Sequence, residues 1–132
     1  MRKARLAAMP RHFSVEEAND LLPELKVLLE QMLAARQRIV DGRKTWEPMM
    51  EKARGNGGGA SGKQLFKDSA KIQVTLEQIN EWGIIIKDVD TGLVDFPALR
   101  HGREVYLCWR LGEPHVEYWH EVDAGFAGRQ PL

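Results

Sequence analysis

The segment from residue 115 to residue 121 carries four side chains of metal-ligating type: His115, Glu117, His120 and Glu121. Imidazole nitrogens and carboxylate oxygens suit zinc or iron. The spacing H-x-E-x-x-H differs from H-E-x-x-H, in which both histidines share one face of a helix. On a strand, alternation sends His115 and Glu117 to one side and His120 to the other. We therefore predict no bound cofactor, keep His115 and His120 as the metal candidates, and expect a half-buried, hydrogen-bonded His120 beneath the helices.

Cys108 is the single cysteine of the chain, and the strand pairing predicted below makes Asp95 its neighbour. A catalytic cysteine needs a base and a lowered thiol pKa. A carboxylate beside a thiol raises the pKa of that thiol, so we expect Cys108 to pack rather than react. One cysteine also cannot form an internal disulfide, which is typical of a cytoplasmic protein.

The overall charge balance argues against a dedicated nucleic-acid binder. The 132 residues include 19 Lys and Arg and 19 Asp and Glu, so the formal net charge is zero, whereas such a binder is usually basic. The length suits one domain, and no apolar run approaches the roughly 20 residues of a membrane span. We expect a soluble cytoplasmic protein without nucleic-acid or membrane partners. Residues 1–12 are predicted to be flexible, and their basic side chains leave nucleic-acid or membrane-surface association open as an alternative: Arg2, Lys3, Arg5 and Arg11.

The first ordered element is predicted to be a long helix. Ser14 and Glu17 fit a capping box, and Phe13 occupies the position of a hydrophobic staple. Apolar residues then recur at steps of three and four up to Trp46. Pro23 cannot donate a hydrogen bond to the preceding turn, so the helix must either kink there or divide into two.

A second helix is predicted from about Ser61 to Trp82, after the glycine-rich stretch from Gly55 to Gly62. That stretch is expected to be a flexible connector. It does not fit a phosphate-binding loop, because Gln64 stands where Ser or Thr is required and because a helix precedes it. Residues 13–82 therefore predict an antiparallel helical hairpin.

The remaining chain is predicted to form a four-stranded antiparallel meander over residues 84–121, followed by a tail over 122–132. The predicted fold is a single α+β domain, residues 13–132, in which the hairpin packs on the sheet. Alternation places an almost wholly apolar set on the helix-facing side: Val94, Phe96, Ala98, Val105, Leu107, Trp109, Leu111, Val116, Tyr118 and His120. The opposite side holds Asp95, Tyr106, Cys108, Arg110, Glu117, Trp119 and Glu121. A slip of one residue would exchange the two sets, but it would expose the apolar one.

The polar side of this predicted sheet is the candidate functional surface. Arg110 and Glu117 are expected to form a cross-strand ion pair. The aromatic side chains of Tyr106 and Trp119 favour either an interface with another subunit or a cover supplied by the tail. In the second case Arg129 would reach a carboxylate, that of Glu117 or of Asp95.

Helix length predicts self-association. Strands of about six residues span about 20 Å, so part of the apolar stripe of the first helix lacks a partner within the chain. A homo-oligomer in which the two helices join those of another copy would bury this surplus.

Several segments resemble the bacterial domain-of-unknown-function family numbered 2203: residues 13–23, the Gly-Leu-Val-Asp-Phe-Pro run ending at Pro97, the Leu-Cys-Trp-Arg-Leu-Gly-Glu run ending at Glu113, Trp119-His120, and residues 125–129. The resemblance covers nearly all of the chain from Phe13 onward. It implies a small soluble bacterial protein and brings no activity that could be transferred. It directs attention to the matching positions Asp95, Trp109, Arg110, Glu113, Trp119, His120 and Arg129.

These observations favour a non-enzymatic, homo-oligomeric interaction module, because no set of catalytic residues converges. The alternative is a small-ligand or metal-dependent activity on the polar side of the sheet or at its rim. Its candidate residues are Asp95, Glu113, Glu117, His115 and His120.

Overall fold

The computed structural model describes residues 11–52 and 59–132. Two helices, α1 (Val15–Lys52) and α2 (Gly59–Glu81), precede a five-stranded antiparallel sheet. The strands lie side by side in chain order, with a short 3-10 helix (Phe126–Gly128) between the last two: β1 (Ile85–Asp88), β2 (Leu93–Arg100), β3 (Arg103–Arg110), β4 (Tyr118–Glu121) and β5 (Gln130–Pro131). The predicted α+β class is confirmed, but the prediction of four strands is wrong, because residues assigned to the tail add β5.

The start of α1 is the predicted capping box. The Ser14 hydroxyl accepts a hydrogen bond from the Glu17 amide at 3.0 Å, and the Glu17 carboxylate accepts one from the Ser14 amide at 2.9 Å. Phe13 is buried and meets the ring of Phe96 edge-on at 5.2 Å. The Arg11 guanidinium lies 4.0 Å from the centre of the Phe13 ring. Residues 1–10 of the predicted flexible segment lie outside the described residues.

Helix α1 is continuous through Pro23, so the predicted alternative of two separate helices is wrong. Pro23 is exposed while its neighbours Leu22 and Leu25 are buried. Burial of the adjacent apolar side chains offsets the loss of one backbone hydrogen bond. The kink alternative stays a prediction. Helix α1 also extends beyond Trp46, to Lys52.

The glycine-rich connector is shorter than predicted. Helix α2 begins at Gly59, so Gly59–Gly62 belong to the helix rather than to the loop. Residues 53–58 lie outside the described residues.

Pairing between β2 and β3 has the predicted register: Ala98 faces Val105, Phe96 faces Leu107 and Val94 faces Trp109. His101 and Gly102 form the two-residue turn, with φ of 54° and 75°. Positive φ at both positions is what a tight hairpin of this length requires. One side of both strands therefore packs on the helices as predicted.

Pairing between β3 and β4 differs from the prediction by one residue. Tyr118 lies opposite Cys108, Trp119 opposite Leu107 and His120 opposite Tyr106, whereas the predicted partners of Tyr118 and His120 were Trp109 and Leu107. Every side chain of β4 therefore lies on the other side of the sheet from the one predicted. The prediction of His120 beneath the helices is wrong, and so is that of Trp119 on the polar side.

The connection between β3 and β4 explains this register. A four-residue turn was expected, but seven residues separate Arg110 from Tyr118. Two hydrogen bonds hold this longer connection in place. The Trp109 indole donates to the Glu113 carbonyl at 2.9 Å, and the amide of Val116 donates to the side-chain oxygen of Asn19 in α1 at 2.8 Å. Neither bond follows from strand periodicity.

The main hydrophobic core lies between α1 and the sheet. Helix α1 contributes buried side chains at steps of three and four: Ala18, Leu22, Leu25, Leu29, Met32 and Ala35. The sheet contributes Val94, Phe96, Ala98, Val105, Leu107, Trp109 and Trp119. Within the described part of the chain, no helix is both long and apolar enough to cross a membrane.

Candidate functional site

Three buried side chains of different chemistry meet on the outer side of the sheet, the side turned away from the helices. Asp95 on β2 lies directly opposite Cys108 on β3, and His120 on β4 lies diagonally beyond it. Their potential ligand atoms all lie within 4.8 Å of one another. The three residues are only 1%, 1% and 2% exposed. We call them the Asp95–Cys108–His120 cluster.

Hydrogen bonds fix the orientation of His120. Its Nδ1 lies 2.7 Å from the backbone carbonyl oxygen of Glu121, and its Nε2 lies 3.0 Å from Oδ1 of Asp95. A carbonyl oxygen can only accept, so Nδ1 carries a proton and donates it. A second proton must then lie between Nε2 and Asp95, because a carboxylate oxygen and an unprotonated nitrogen are both acceptors.

The other carboxylate oxygen of Asp95 is unusual. Among the described residues, Oδ2 of Asp95 is buried and has no hydrogen-bond partner. Buried polar atoms normally have a partner, so such an atom calls for an explanation.

The Cys108 thiol is protonated at neutral pH. Burial, and next the negative charge of Asp95, raise the pKa of this thiol to about 11, although the nearby Arg129 opposes the shift. A protonated thiol is a weak nucleophile, since the thiolate is the reactive form.

An ion pair between Arg129 and Glu113 borders the cluster. The guanidinium makes two hydrogen bonds of 2.7 and 2.6 Å to the Glu113 carboxylate, and a third of 3.2 Å to the Cys108 carbonyl oxygen. It also lies over the rings of Tyr118, at 4.2 Å, and Phe126, at 4.6 Å. The tail therefore folds onto the outer side of the sheet, one of the two predicted alternatives. The carboxylate that pairs with Arg129 is that of Glu113, whereas the prediction named Glu117 or Asp95.

Other predicted site residues lie outside the cluster. Tyr106 meets the His120 ring edge-on at 5.6 Å. Arg110 lies 5.1 Å from the Phe126 ring centre, and the predicted Arg110–Glu117 ion pair is absent among the described residues. Trp109 and Trp119 are buried in the core. Glu121 pairs with Arg103 at 2.6 Å.

His115 lies at a separate cleft of about 680 Å³ between α1 and the connection from β3 to β4. The cleft has apolar and charged walls: Asn19, Leu22, Pro23, Lys26, Val27, Glu30, Trp109, Gly112, Glu113, Pro114 and His115. The two histidines proposed as metal candidates, His115 and His120, therefore occupy different sites. Sequence reasoning did not find this cleft because its walls come from segments about 90 positions apart.

The cluster itself was also missed, although a signal for it existed. Asp95 and Cys108 were predicted as cross-strand neighbours, and the pairing of β2 with β3 has that register. His120 was assigned to the opposite side of the sheet, because a four-residue turn between β3 and β4 was assumed, whereas seven residues separate Arg110 from Tyr118.

The sequence matches, over residues 11–132, the model of a family described as an uncharacterized conserved protein, DUF2203. No curated protein matches the chain, and no solved structure does.

Proposed function

The chain belongs to the DUF2203 family, and on that premise we propose that it is a non-enzymatic interaction module of the bacterial cytoplasm that self-associates through its helical hairpin. The observation that carries this proposal is the length of the hairpin. Helix α1 has 38 residues and is about 57 Å long, whereas the eight residues of β2 or β3 span about 27 Å. Roughly half of α1 therefore extends past the sheet.

The half of the hairpin that extends past the sheet has few buried side chains among the described residues. No side chain of residues 36–43 is fully buried, and Ile39 and Leu65 are half-buried. Val40 is 47% exposed and Phe66 is 75% exposed. Two helices alone cannot enclose an apolar stripe, whereas four helices can.

One polar contact fixes how the two helices face each other in this region. Arg38 donates two hydrogen bonds, of 3.0 and 2.8 Å, to one carboxylate oxygen of the buried Asp68, and Gln64 donates a third at 3.1 Å. These bonds, those of Arg38 foremost, lower the pKa of Asp68. The contact leaves Phe66, two positions before Asp68, free to meet a second copy. A two-fold dimer would pair identical surfaces in this way.

The experiment is light scattering on the full chain over a range of concentrations. We expect a mass near twice 15.0 kDa for the wild type and a shift toward the monomer for Phe66→Glu. Leu99→Glu is the matched control, because Leu99 is also exposed, at 56%, but lies on the sheet. A wild-type protein that stays monomeric at the highest concentration overturns the proposal, as does an equal shift in both variants.

A second candidate function, binding of a small apolar molecule with a charged group, is favoured by the cleft beside His115. Lys26 and Glu30 stand on its helical wall and the Trp109 indole on the other. The probe is anilinonaphthalene sulfonate, an apolar anion whose fluorescence rises in dry sites. We expect a saturable rise that Val27→Glu abolishes and that Val74→Glu, a control on α2, leaves unchanged. Equal fluorescence in all three proteins contradicts this function.

A further inference from the structure

We propose that the Asp95–Cys108–His120 cluster is a binding site for a divalent transition-metal ion of the zinc class, which ties strands β2, β3 and β4 together on the outer side of the sheet. This inference is independent of self-association, since the cluster lies on the sheet and the proposed dimer surface lies on the hairpin.

The three side chains supply one thiolate sulfur, one imidazole nitrogen and one carboxylate. Zinc in proteins takes these three ligand types. In a tetrahedral zinc site, neighbouring ligand atoms lie about 3.3 to 3.8 Å apart. Here they all lie within 4.8 Å of one another, and Nε2 of His120 and Oδ1 of Asp95 lie at 3.0 Å. Shifts below about an ångström would thus place all three around one ion.

The hydrogen bond at the other nitrogen of His120 is the arrangement that metal-binding histidines show. Such a histidine commonly donates its second N–H to a carbonyl or carboxylate, which fixes the ring and its tautomer. Nδ1 of His120 donates to the Glu121 carbonyl at 2.7 Å. Nε2 therefore points toward Asp95 and Cys108 with its lone pair available once the shared proton leaves.

The unpartnered oxygen of Asp95 is the second, independent observation. Within the described part of the chain, Oδ2 is buried without a hydrogen bond, in a residue that is 1% exposed. A purely structural Asp–His pair gives no reason for leaving that oxygen unsatisfied. A bound ion does, because Oδ2 would then be one of its ligands.

Charge balance also favours the site. A divalent cation with the thiolate of Cys108, the carboxylate of Asp95 and a neutral His120 has a net charge of zero. Without the ion, the cluster is neutral because it holds the thiol proton and the proton shared by Asp95 and His120. The ion thus replaces two protons, and neither state buries an unbalanced charge. The adjacent Arg129 is already neutralised by Glu113.

Because the ligands are 1–2% exposed, metal must enter as the chain folds. The experiment therefore expresses the untagged full chain in minimal medium supplemented with zinc or with cobalt, and measures the metal content of the purified protein. We expect about one ion per chain. The cobalt protein should show the near-ultraviolet thiolate-to-metal charge-transfer band, and Cys108 is the only cysteine that could supply that thiolate.

Two variants separate this site from other modes of binding. Cys108→Ser should lose the band and the bound ion, whereas His115→Asn, which removes an exposed histidine outside the cluster, should keep both. Metal content below about a tenth of an equivalent in the wild type, without a band, overturns the proposal. Metal that persists unchanged in Cys108→Ser overturns it as well. The wild-type cobalt spectrum decides the question by itself if a variant does not fold.

Discussion

At the scale of single residues, the partly buried ion pair between Glu113 and Arg129 makes stability depend on pH. Burial raises the pKa of Glu113, but hydrogen bonds from Arg129 and from the Arg110 amide, together with the charges of both arginines, lower it below its usual range overall. A carboxylate whose pKa is lower in the folded state than in the unfolded state stabilises the fold. This stabilisation is complete at pH values above the usual pKa of Glu, about 4.3. This stabilisation is lost as pH falls through the lower folded-state value.

We therefore expect the urea midpoint of the wild type to fall between about pH 5 and pH 3 more steeply than that of Glu113→Gln. The variant should be less stable at neutral pH, because Arg129 loses the charge of its partner. Other carboxylates titrate in both proteins, so the difference between the two curves isolates Glu113. Urea midpoints that fall equally with pH in both proteins would contradict a lowered pKa of Glu113.

The capping box at Ser14 gives a second prediction. Ser14→Ala removes the hydroxyl that accepts the Glu17 amide and should lower the free energy of unfolding by about 1 kcal/mol. Ser69→Ala is the control, because Ser69 is exposed within α2, where alanine is the better helix former. In denaturant titrations, the midpoint should fall for Ser14→Ala, whereas for Ser69→Ala it should rise or stay unchanged. If both variants lost the same free energy of unfolding, the loss could not be attributed to the capping box.

At the scale of elements, the contact between Gly92 and Leu111 sets the end of the β2–β3 pair. Gly92 has φ of +69°, and a Cβ built there would lie 2.7 Å from Cβ of Leu111. Gly92→Ala should therefore cost about 1–2 kcal/mol from the left-handed backbone alone, with the close contact adding to it. Gly62→Ala, in open space within α2, should stabilise by about 0.5–1 kcal/mol. Thermal unfolding of both variants tests this contrast, and a stabilised Gly92→Ala would contradict it.

Elements whose limits are set by local chemistry could be predicted from the sequence. Ser14 and Glu17 identified the start of α1, and the His101-Gly102 turn fixed the register of β2 on β3. The register of β4 could not be predicted, because the seven-residue connection before it is held in part by the hydrogen bond from Val116 to Asn19, a residue of α1. β5 was missed because two residues give no alternation. The error at β4 hid the cluster, since the site depends on which way His120 points.

At the scale of the whole molecule, the buried side chains of α1 that pack on the sheet end at Ala35, and none of the side chains from Arg36 to Arg43 is buried. Amides between Val15 and Ala35 should exchange with deuterium far more slowly than those from Arg36 onward in dilute protein. If the hairpin pairs with a second copy, raising the protein concentration should slow exchange only from Arg36 onward. Hydrogen exchange with mass spectrometry at two concentrations measures this, and uniform protection along α1 at both would contradict the expectation.

The bond between Asn19 and Val116 also bears on how the chain folds. It joins positions 97 residues apart, and closing so long a loop carries a large entropic cost before any contact repays it. The hairpin of β2 and β3 needs only a two-residue turn, so we expect it to form early, and we expect β4 to acquire its register after α1 has docked. Asn19→Ala should therefore slow the last refolding phase while leaving the earlier one unchanged, as stopped-flow tryptophan fluorescence would report.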